Sequence, residues 1–389
     1  MRLAVVVEDR IGEIAAKGEL LDGYFNPAAA FSQVTVVSLF ESSVPAVALA
    51  RLCAPARAVA LAAGLDRATL LARTAGMRPR RLAHALRPVA EAAAQTVPDL
   101  VRAYGDGLAV VAAAAIAGRA GVPFVASLHT TPDPRARTRL RPWRDRLWRH
   151  LLRPAADKAL ASAAGLMPVY SPILDYLPPS LRARATVLPN VVGVTSRPAA
   201  RPGRRDGRLR VLWAGRLIPG RDPRPLIASL AHVPQVDLTL VGDGPLRGPA
   251  RVLAEHLGLT DRVRFVAALG NPQFCAALGQ YDVLAAHTLY REMPKTVMEA
   301  ALAGLPLVIN RDPSATVAEY AGLPVVWVDE TAESYGHALA RLAAAPTECL
   351  DLGAGMADQA WTRWNPSRIA DATADYMLGM AGRQGGAGV

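Results

Sequence analysis

Short apolar runs alternate with longer helix-like segments along this chain, and the alternation limits the folds that it can adopt. Such runs, bounded by polar or turn-forming residues, are typical of buried strands. The runs with this pattern are Leu3–Val7, Val34–Ser38, Leu100–Tyr104, Phe124–Leu128, Leu166–Val169, Thr186–Leu188, Arg210–Trp213, Val236–Val241, Val263–Val266, Val283–Ala286, Leu307–Ile309 and Val325–Val328. The Ala-rich segment Gly107–Gly121 between two of them predicts a helix. Strands that alternate with helices in this way predict an α/β protein with doubly wound parallel sheets.

One segment interrupts the alternation and divides the chain. Residues 196–207 are rich in Pro, Gly and Arg and hold no large apolar side chain, which is typical of a linker. We therefore expect a Rossmann-like domain at residues 1–195, the linker at 196–207 and a second Rossmann-like domain at 208–365. The remaining residues, 366–389, predict a helix that packs back on the first domain and a disordered tail from Gly385.

Composition excludes several classes of protein. The chain has 389 residues, of which 51% are hydrophobic and 20% are charged, so it has enough apolar side chains for packed cores. Cys53, Cys275 and Cys349 lie far apart and match no metal-ligand spacing, which favours a reducing compartment. The N-terminal apolar run stops at Glu8, too early for a signal peptide, and the longest apolar run, Leu108–Ala117, is about half of a bilayer span. We expect a cytoplasmic protein, with the inner face of the membrane as an alternative location.

The positive charge is concentrated in the first half of the chain. The formal net charge is +11, of which residues 1–195 carry +10 and residues 196–389 carry +1. Residues 135–153 contain eight arginines, interleaved with apolar residues that fall on one helical face. These apolar residues are Leu140, Trp143, Leu147, Trp148, Leu151 and Leu152. The face would pack on its own domain or lie on an anionic membrane surface. No nucleic-acid-binding motif accompanies the charge, so we expect no nucleic acid partner.

The first chemical motif follows a strand in the second half. The sequence Gly-Arg-Leu-Ile-Pro-Gly-Arg begins at Gly215 and puts Arg216 and Arg221 in a loop at the carboxyl edge of the sheet. Open α/β sheets bind ligands at that edge. A guanidinium can donate two hydrogen bonds to phosphate oxygens, so the motif suits a diphosphate, although two solvated loop arginines would give the same pattern.

The second motif, Val-Gly-Asp-Gly-Pro, follows the next strand and precedes a helix. Gly242 and Gly244 would allow the backbone to approach a ligand closely. The same two glycines also suit an ordinary turn between a strand and a helix. Both interpretations remain open from the sequence.

The third motif opens a helix. Residues 291–300 read Arg-Glu-Met-Pro-Lys-Thr-Val-Met-Glu-Ala, and Pro294 suits a helix start whose free amides would bind an anion. Glu299 lies one turn further on, where a carboxylate can accept two hydrogen bonds from a ribose diol. The apolar residues around Glu299 predict that it is buried, and a buried carboxylate needs partners.

These motifs occur together in one order, and the chain resembles the retaining glycosyltransferases of family 4. The resemblance covers most of residues 95–365 and includes Leu188-Pro189-Asn190 in the first half. It implies the GT-B fold, in which two Rossmann-like domains face each other across a cleft. It also implies transfer of a sugar from a nucleotide-diphosphate sugar to a hydroxyl of a small molecule, glycan or lipid-linked acceptor. A UDP-sugar is expected as the donor over a GDP-sugar.

The resemblance assigns roles to individual residues. Arg216 and Arg221 would contact the donor diphosphate, Glu299 the nucleotide ribose, and His129 the donor sugar. Further donor-binding residues would be Gly215, Gly242, Gly244, Arg291, Met293, Pro294, Lys295 and Thr296. The catalytic residues would be Arg216, Arg221, His129 and Glu292.

Two positions depart from the family pattern. The first glutamate of the family's glutamate pair corresponds to Arg291, with Glu292 one place later. Either Glu292 serves in its place, or Arg291 reads a carboxylated or phosphorylated donor sugar. The Gly-Gly pair after the first strand is also absent, and Gly12 and Lys17-Gly18 occupy that region.

The sequence predicts chemistry without a cofactor. No Asp-x-Asp triplet occurs, so we expect no metal and assign the leaving diphosphate to Arg216, Arg221, Lys295 and helix amides. Three other functions remain open at this point. They are a nucleotide-sugar epimerase, a phosphorylase, and an inactive GT-B scaffold that binds glycan or membrane.

Overall fold

The structure, a computed structural model, describes residues 1–16, 20–130, 143–199, 207–311 and 317–382. The chain forms two compact units. The first consists of residues 1–191 and the C-terminal segment that begins at Ser367, and the second of residues 192–366. Within the described ranges no helix is both long and apolar enough to cross a membrane.

The first unit is built on a six-stranded parallel sheet with the order β3-β2-β1-β4-β5-β6. Its strands are β1 Arg2–Val7, β2 Gln33–Ser38, β3 Arg57–Ala62, β4 Leu100–Tyr104, β5 Phe124–Leu128 and β6 Gly165–Pro168. Its α-helices are α1 Ile11–Ala16, α2 Ala46–Cys53, α3 Arg67–Arg73, α4 Pro79–Ala94, α5 Leu108–Ala120, α6 Trp143–Ser162 and α7 Pro179–Arg182. Short 3-10 helices cover Pro27–Ala29 and Ser171–Tyr176.

Most residues in the central strands of this sheet are apolar, as expected where helices cover both faces of a parallel sheet. All five residues of β5 are buried, as are Leu3 to Val7 of β1. Helix α5 ends where Gly121 adopts a left-handed conformation with φ +70°, a frequent helix stop. Met377 and Met380, from the C-terminal helix, are buried in the core of this unit.

The second unit has its own six-stranded parallel sheet, with the order β12-β11-β10-β7-β8-β9. Its strands are β7 Leu209–Ala214, β8 Val236–Val241, β9 Val263–Val266, β10 Val283–Ala286, β11 Leu307–Asn310 and β12 Val326–Val328. Its α-helices are α8 Arg224–Ser229, α9 Arg247–His256, α10 Asn271–Ala277, α11 Lys295–Leu302, α12 Ala332–Ala344 and α13 Pro346–Trp364. Its 3-10 helices cover Leu230–His232, Leu278–Gln280 and Ala318–Tyr320, and α14 Pro366–Gly382 returns the chain to the first unit.

Each sheet reverses its direction of winding beside its first strand. In the first unit the reversal lies between β1 and β4, and in the second it lies between β7 and β10. Open α/β sheets bind ligands outside the carboxyl ends of the strands at this switch point. The topology therefore directs attention to the loops that follow β7 and β10.

The parallel sheets and most strands agree with the sequence prediction, but one predicted strand does not form and one observed strand was not predicted. Residues 186–188 run beside β6 with hydrogen bonds from the Thr186 and Leu188 amides to its carbonyls, yet they form no strand. The edge strand β3 was not predicted, because its Arg-Ala-Val-Ala-Leu-Ala sequence lacks a continuous apolar run. Most of the predicted linker, residues 200–206, and the tail from Gly385 lie outside the described residues.

The basic helix does not bury all of its predicted apolar face. Trp148 is buried against Phe40, and the Arg67 guanidinium lies 5.2 Å from the centre of the Trp148 ring. Trp143 and Leu147 are instead 67% and 44% exposed, so only part of the apolar face packs on its own domain. Positions 135–142 of this segment lie outside the described residues.

Candidate donor-binding site

The loops after β7 and β10 meet at the switch point of the second unit. The Leu289 amide donates a 2.9 Å hydrogen bond to the carbonyl of Gly220. The Thr296 hydroxyl donates to the carbonyl of Ala214, the last residue of β7, at 3.3 Å. The first turn of α11, whose initial amides have no partner within the helix, therefore lies at the carboxyl end of β7. Such a helix start is suited to an anion.

Arg216 is the most available cation at this edge. It follows β7 by two positions and its side chain is exposed. Within the described part of the chain it forms no ion pair. An exposed guanidinium beside a helix start can accept a phosphate group without first breaking a contact inside the protein.

Arg221 forms a bidentate ion pair with Glu292. Its Nε donates to Oε1 of Glu292 at 2.8 Å, and one terminal nitrogen donates to Oε2 at 2.7 Å. The Glu292 side chain is only 9% exposed and that of Arg221 is 22% exposed. Arg221 also lies 5.8 Å from the centre of the Tyr290 ring. Because Glu292 already neutralises Arg221, Arg216 is the stronger candidate for a phosphate contact.

Residues that the sequence did not point to hold the loop that carries Glu292. The hydroxyl of Thr288 donates to Glu292 at 3.2 Å, and the Asn310 side chain forms two hydrogen bonds with the Thr288 backbone. Tyr320 is buried nearby, and burial, followed by the Glu292 charge, raises its pKa. Arg291, at the position where the resemblance implies a glutamate, is half-buried. These contacts give Glu292 a structural role. Its catalytic role remains a prediction.

Glu299 is buried as predicted, and its partners are now identified. It is 1% exposed, and Oε1 accepts hydrogen bonds from the Asn271 side chain at 2.6 Å and the Gly193 amide at 3.3 Å. Burial raises its pKa, although these donors and the Lys295 charge oppose the shift. Asn271 was not predicted, because a Gly-Asn-Pro sequence signals a helix start as readily as a binding residue.

Replacing Glu299 with glutamine tests this burial through pH. Glutamine keeps an oxygen for Asn271 and Gly193 but removes the charge. Since the pKa of Glu299 is raised in the folded chain, its contribution to stability is present below its ordinary pKa of about 4.3 and is lost as the pH rises through the raised value. We therefore expect Glu299→Gln to gain stability relative to the wild type as the pH rises from about 4 to 8. Urea unfolding across this range measures the free energy of unfolding of both proteins. If the two free energies changed with pH in the same way, the result would contradict the burial of Glu299.

The glycines after β8 are explained by contacts within the chain. A Cβ atom on Gly242 would collide with the Gly215 carbonyl oxygen, and one on Gly244 would collide with the Leu217 carbonyl oxygen. Both glycines have positive φ, +140° and +148°. The loops after β7 and β8 also share hydrogen bonds, from the Gly215 amide to the Val241 carbonyl and from the Leu217 amide to the Asp243 carbonyl. The three glycines thus shape the loop that presents Arg216, and their contact with a donor remains a prediction.

Gly242→Ala should therefore destabilise the second unit. A strained backbone conformation costs about 1–3 kcal/mol, and the collision with Gly215 adds to that. Gly248→Ala is the matched control, since Gly248 lies in α9 with nothing within 4 Å of an added Cβ atom, and alanine in a helix gains about 0.5–1 kcal/mol. The free energy of unfolding of both variants measures the difference, and equal values would refute the close approach.

The other residues of the third motif surround the start of α11. Pro294 is the residue that precedes the helix, which begins at Lys295. Met293 is 3% exposed and packs inward, while Lys295 and Thr296 are half-buried. Gly304 follows the helix with φ +73°, a conformation that commonly stops a helix.

His129 lies in the first unit, directly after β5. Its ring stacks on Tyr104 with centroids 5.2 Å apart and an angle of 13° between the planes. The Tyr170 hydroxyl donates to the His129 carbonyl at 3.3 Å. These contacts fix the position of the histidine at the carboxyl edge of its sheet, and its predicted contact with a donor sugar is untested.

The start of α1, where the family has its glycine pair, is occupied by a carboxylate of the chain itself. The amides of Ile11 and Gly12 each donate to Glu41 at 2.9 Å. This helix start is therefore already capped. Lys17-Gly18 lies outside the described residues. Among the described residues, no group of three or more His, Cys, Asp or Glu side chains is arranged to hold a metal ion.

Comparison with known families identifies the second unit. Residues 208–345 match the family model described as "Glycosyl transferases group 1". This part of the second unit therefore resembles a glycosyltransferase group 1 domain. The match begins one residue before β7 and ends after α12, so this domain contains Arg216, Glu292 and Glu299.

Two curated relatives of this chain are both named for 2-deoxystreptamine. Over 234 residues the chain is 30% identical to the 2-deoxystreptamine N-acetyl-D-glucosaminyltransferase of Streptomyces fradiae, with 54% of each chain covered. Over 256 residues it is 26% identical to the 2-deoxystreptamine glucosyltransferase of Streptomyces kanamyceticus, covering 60% of this chain and 64% of the relative. Both matches span less than two thirds of the relative's length.

Solved structures establish the fold of the whole chain. HepE of Anabaena in complex with UDP and glucose superposes with a TM-score of 0.69 at 17% identity, covering 97% of this chain and all of HepE. Sucrose-phosphate synthase of Thermosynechococcus elongatus gives a TM-score of 0.68 at 16% identity, covering 99% and 98% of the two chains. The fold is GT-B, with two Rossmann-like units, as the resemblance implied.

Proposed function

We propose that this chain is a retaining glycosyltransferase that uses a UDP-sugar as donor and needs no metal ion. The proposal rests on the position of Arg216, the start of α11 and Glu299 at the switch point of the second unit. There Arg216, which is exposed and forms no ion pair with any residue that the structure describes, lies at the same sheet edge as the start of α11. The buried Glu299 lies within that helix. The complex of HepE with UDP supports uridine as the base.

In this proposal the protein works by electrostatic stabilisation. The acceptor oxygen attacks the anomeric carbon, the bond from that carbon to the β-phosphate oxygen breaks, and UDP leaves with the bonding electrons. Arg216 and the α11 amides stabilise the negative charge that develops on the diphosphate. A phosphate oxygen of the leaving group takes the proton of the acceptor hydroxyl, so no protein nucleophile is needed. Glu299, held by Asn271, positions the ribose.

We propose an aminocyclitol as the acceptor class, since both curated relatives are named for 2-deoxystreptamine. Acidic residues at the carboxyl edge of the first sheet suit a cationic acceptor. Glu8 and the exposed Asp9 follow β1, and Asp106 follows β4, on the two sides of the switch point. Glu8 accepts a 3.0 Å hydrogen bond from the Ala109 amide and burial raises its pKa, which favours its neutral form. Asp106 lies 3.8 Å from Arg149, so the exposed Asp9 is the carboxylate most available to a cation.

The test uses the purified full chain with UDP-glucose or UDP-N-acetylglucosamine and 2-deoxystreptamine, in the presence of EDTA. We expect a glycosylated product by mass spectrometry, with the anomeric configuration of the donor by proton NMR. Product that forms only when a divalent metal is added would overturn metal independence. An inverted configuration would overturn the retaining mechanism. Absence of product with every nucleotide sugar and acceptor would favour the epimerase or scaffold alternatives.

A membrane surface is a second proposed partner. Trp143 and Leu147 are exposed on α6 beside Arg144 and Arg146, which suits an anionic lipid interface. Sedimentation with anionic and neutral vesicles tests it. Equal recovery with both kinds of vesicle would remove the proposal.

A further inference from the structure

Arg102 in the first unit is a buried cation that the donor site does not use. It lies in the middle of β4 and is only 7% exposed. A guanidinium cannot lose its proton at any physiological pH, so it stays charged there. Burying a charge without a partner of opposite sign is costly, and an apolar side chain of similar size would stabilise the sheet better.

The contacts of Arg102 leave most of its hydrogen-bonding capacity unused. Its Nε donates to the hydroxyl oxygen of Ser127 on β5 at 2.9 Å, and its guanidinium lies 4.4 Å from the centre of the Tyr104 ring. Among the described residues it has no carboxylate partner, and neither terminal nitrogen has an acceptor. The stacking and the Ser127 contact hold the guanidinium in one orientation.

A small pocket lies against this guanidinium. Arg102, Ser127, Tyr24, Asn190, His129 and Thr373 line it together with apolar side chains. The Tyr24 hydroxyl donates to Asn190 Oδ1 at 3.3 Å, so the Asn190 amide group remains as a donor. Among the described residues, no Asp or Glu lines the pocket. The lining therefore offers hydrogen-bond donors and one full positive charge.

The size of the pocket limits what enters it. Its volume is about 20 Å³, more than the roughly 10–15 Å³ that one water needs but far below the space for a sugar ring. One functional group fits, and its carrier must extend out of the pocket. A carboxylate or phosphate that places its oxygens there satisfies two guanidinium nitrogens at once.

We propose that this pocket binds an oxyanionic group, a carboxylate or a phosphate, through Arg102. The group belongs either to a free anion or to a substituent on a larger substrate. The pocket shares His129 with the predicted donor-sugar contact, but the inference concerns anion binding to the first unit and its test measures no sugar transfer. Arg102, rather than a hydrophobic residue, occupies this strand position because the ligand supplies the missing negative charge.

Calorimetric titration of the full chain tests the proposal with five probes: inorganic phosphate, acetate, glucose 6-phosphate, glucuronate and glucose. We expect the anions to bind at least about tenfold more tightly than glucose, as one charge-assisted hydrogen bond predicts. Binding of phosphate or acetate alone identifies a free anion. Tighter binding of the sugar anions identifies a substituted substrate. Equal binding of glucose and the anions would overturn the proposal.

Variants assign the binding to Arg102. Arg102→Met should abolish the preference for anions and leave the resistance to urea unchanged or higher, because a buried charge is removed. Arg102→Lys keeps the charge but lacks the planar fork, and we expect about a tenfold loss of anion affinity. Arg81→Met, at an exposed position of α4, is the control and should bind like the wild type. An anion preference that survives in both Arg102 variants would refute the site.

Discussion

Replacing Arg216 with alanine lowers the rate of sugar transfer by about 10²–10³-fold, which corresponds to about 3–4 kcal/mol of lost transition-state stabilisation. The reason is the charge that develops on the diphosphate as it leaves. Arg216 is the exposed guanidinium at the carboxyl end of β7, and it forms no ion pair in the described part of the chain that would compete for it. Initial rates of UDP release measure the effect. A fall in kcat and kcat/KM by the same factor would mark an interaction made in the transition state.

Arg251→Ala is the control for this prediction. Arg251 is also an exposed arginine of the second unit, but it lies within α9, away from the loops that follow β7 and β10. We expect its rate to equal that of the wild type. If Arg216→Ala retained more than about a third of the wild-type rate, Arg216 would not be the main diphosphate contact.

Glu292→Gln should destabilise the second unit by about 3 kcal/mol. The substitution leaves the Arg221 guanidinium without its carboxylate, and breaking a buried ion pair from one side costs about 3–5 kcal/mol. We place the loss at the low end because the Arg221 side chain keeps 22% exposure. Urea denaturation followed by tryptophan fluorescence measures it. Replacing both partners by methionine should recover most of the loss, since no unpaired charge then remains.

The ion pair of Glu348 with Arg341 supplies the control. Its closest atoms are 3.5 Å apart and its side chains are 42% and 55% exposed, so Glu348→Gln should cost at most about 1 kcal/mol. An equal loss in Glu292→Gln and Glu348→Gln would mean that the Arg221–Glu292 pair contributes little. In that case Arg221 would again be a candidate ligand for the donor diphosphate.

The sequence was a good guide to whatever depends on local pattern. The strand ends that carry Arg216 and Gly242 were predicted because apolar runs and glycines mark them directly. The stop of α11 at Gly304 follows from the same chemistry. The burial of Glu299 was predicted because its neighbours along the helix are apolar.

Contacts between distant residues were not predictable in this way. Arg221 and Glu292 are 71 positions apart, and nothing in either motif shows that their side chains meet. Asn271 reaches Glu299 across 28 positions. Arg102 was not singled out because an isolated arginine in a strand is usually placed on a solvent-facing side. Only the packing of β4 against its neighbours shows that this position is buried.

Titration of the chain with UDP, followed by calorimetry, tests the central claim most directly. The account predicts one UDP site per chain, an affinity at least about tenfold weaker in Arg216→Ala, and an unchanged affinity in Arg102→Met, since one charged hydrogen bond contributes about 1.5–3 kcal/mol. Absence of UDP binding would contradict the account. UDP binding that weakens in Arg102→Met but not in Arg216→Ala would contradict it equally, because the nucleotide would then lie on the first unit.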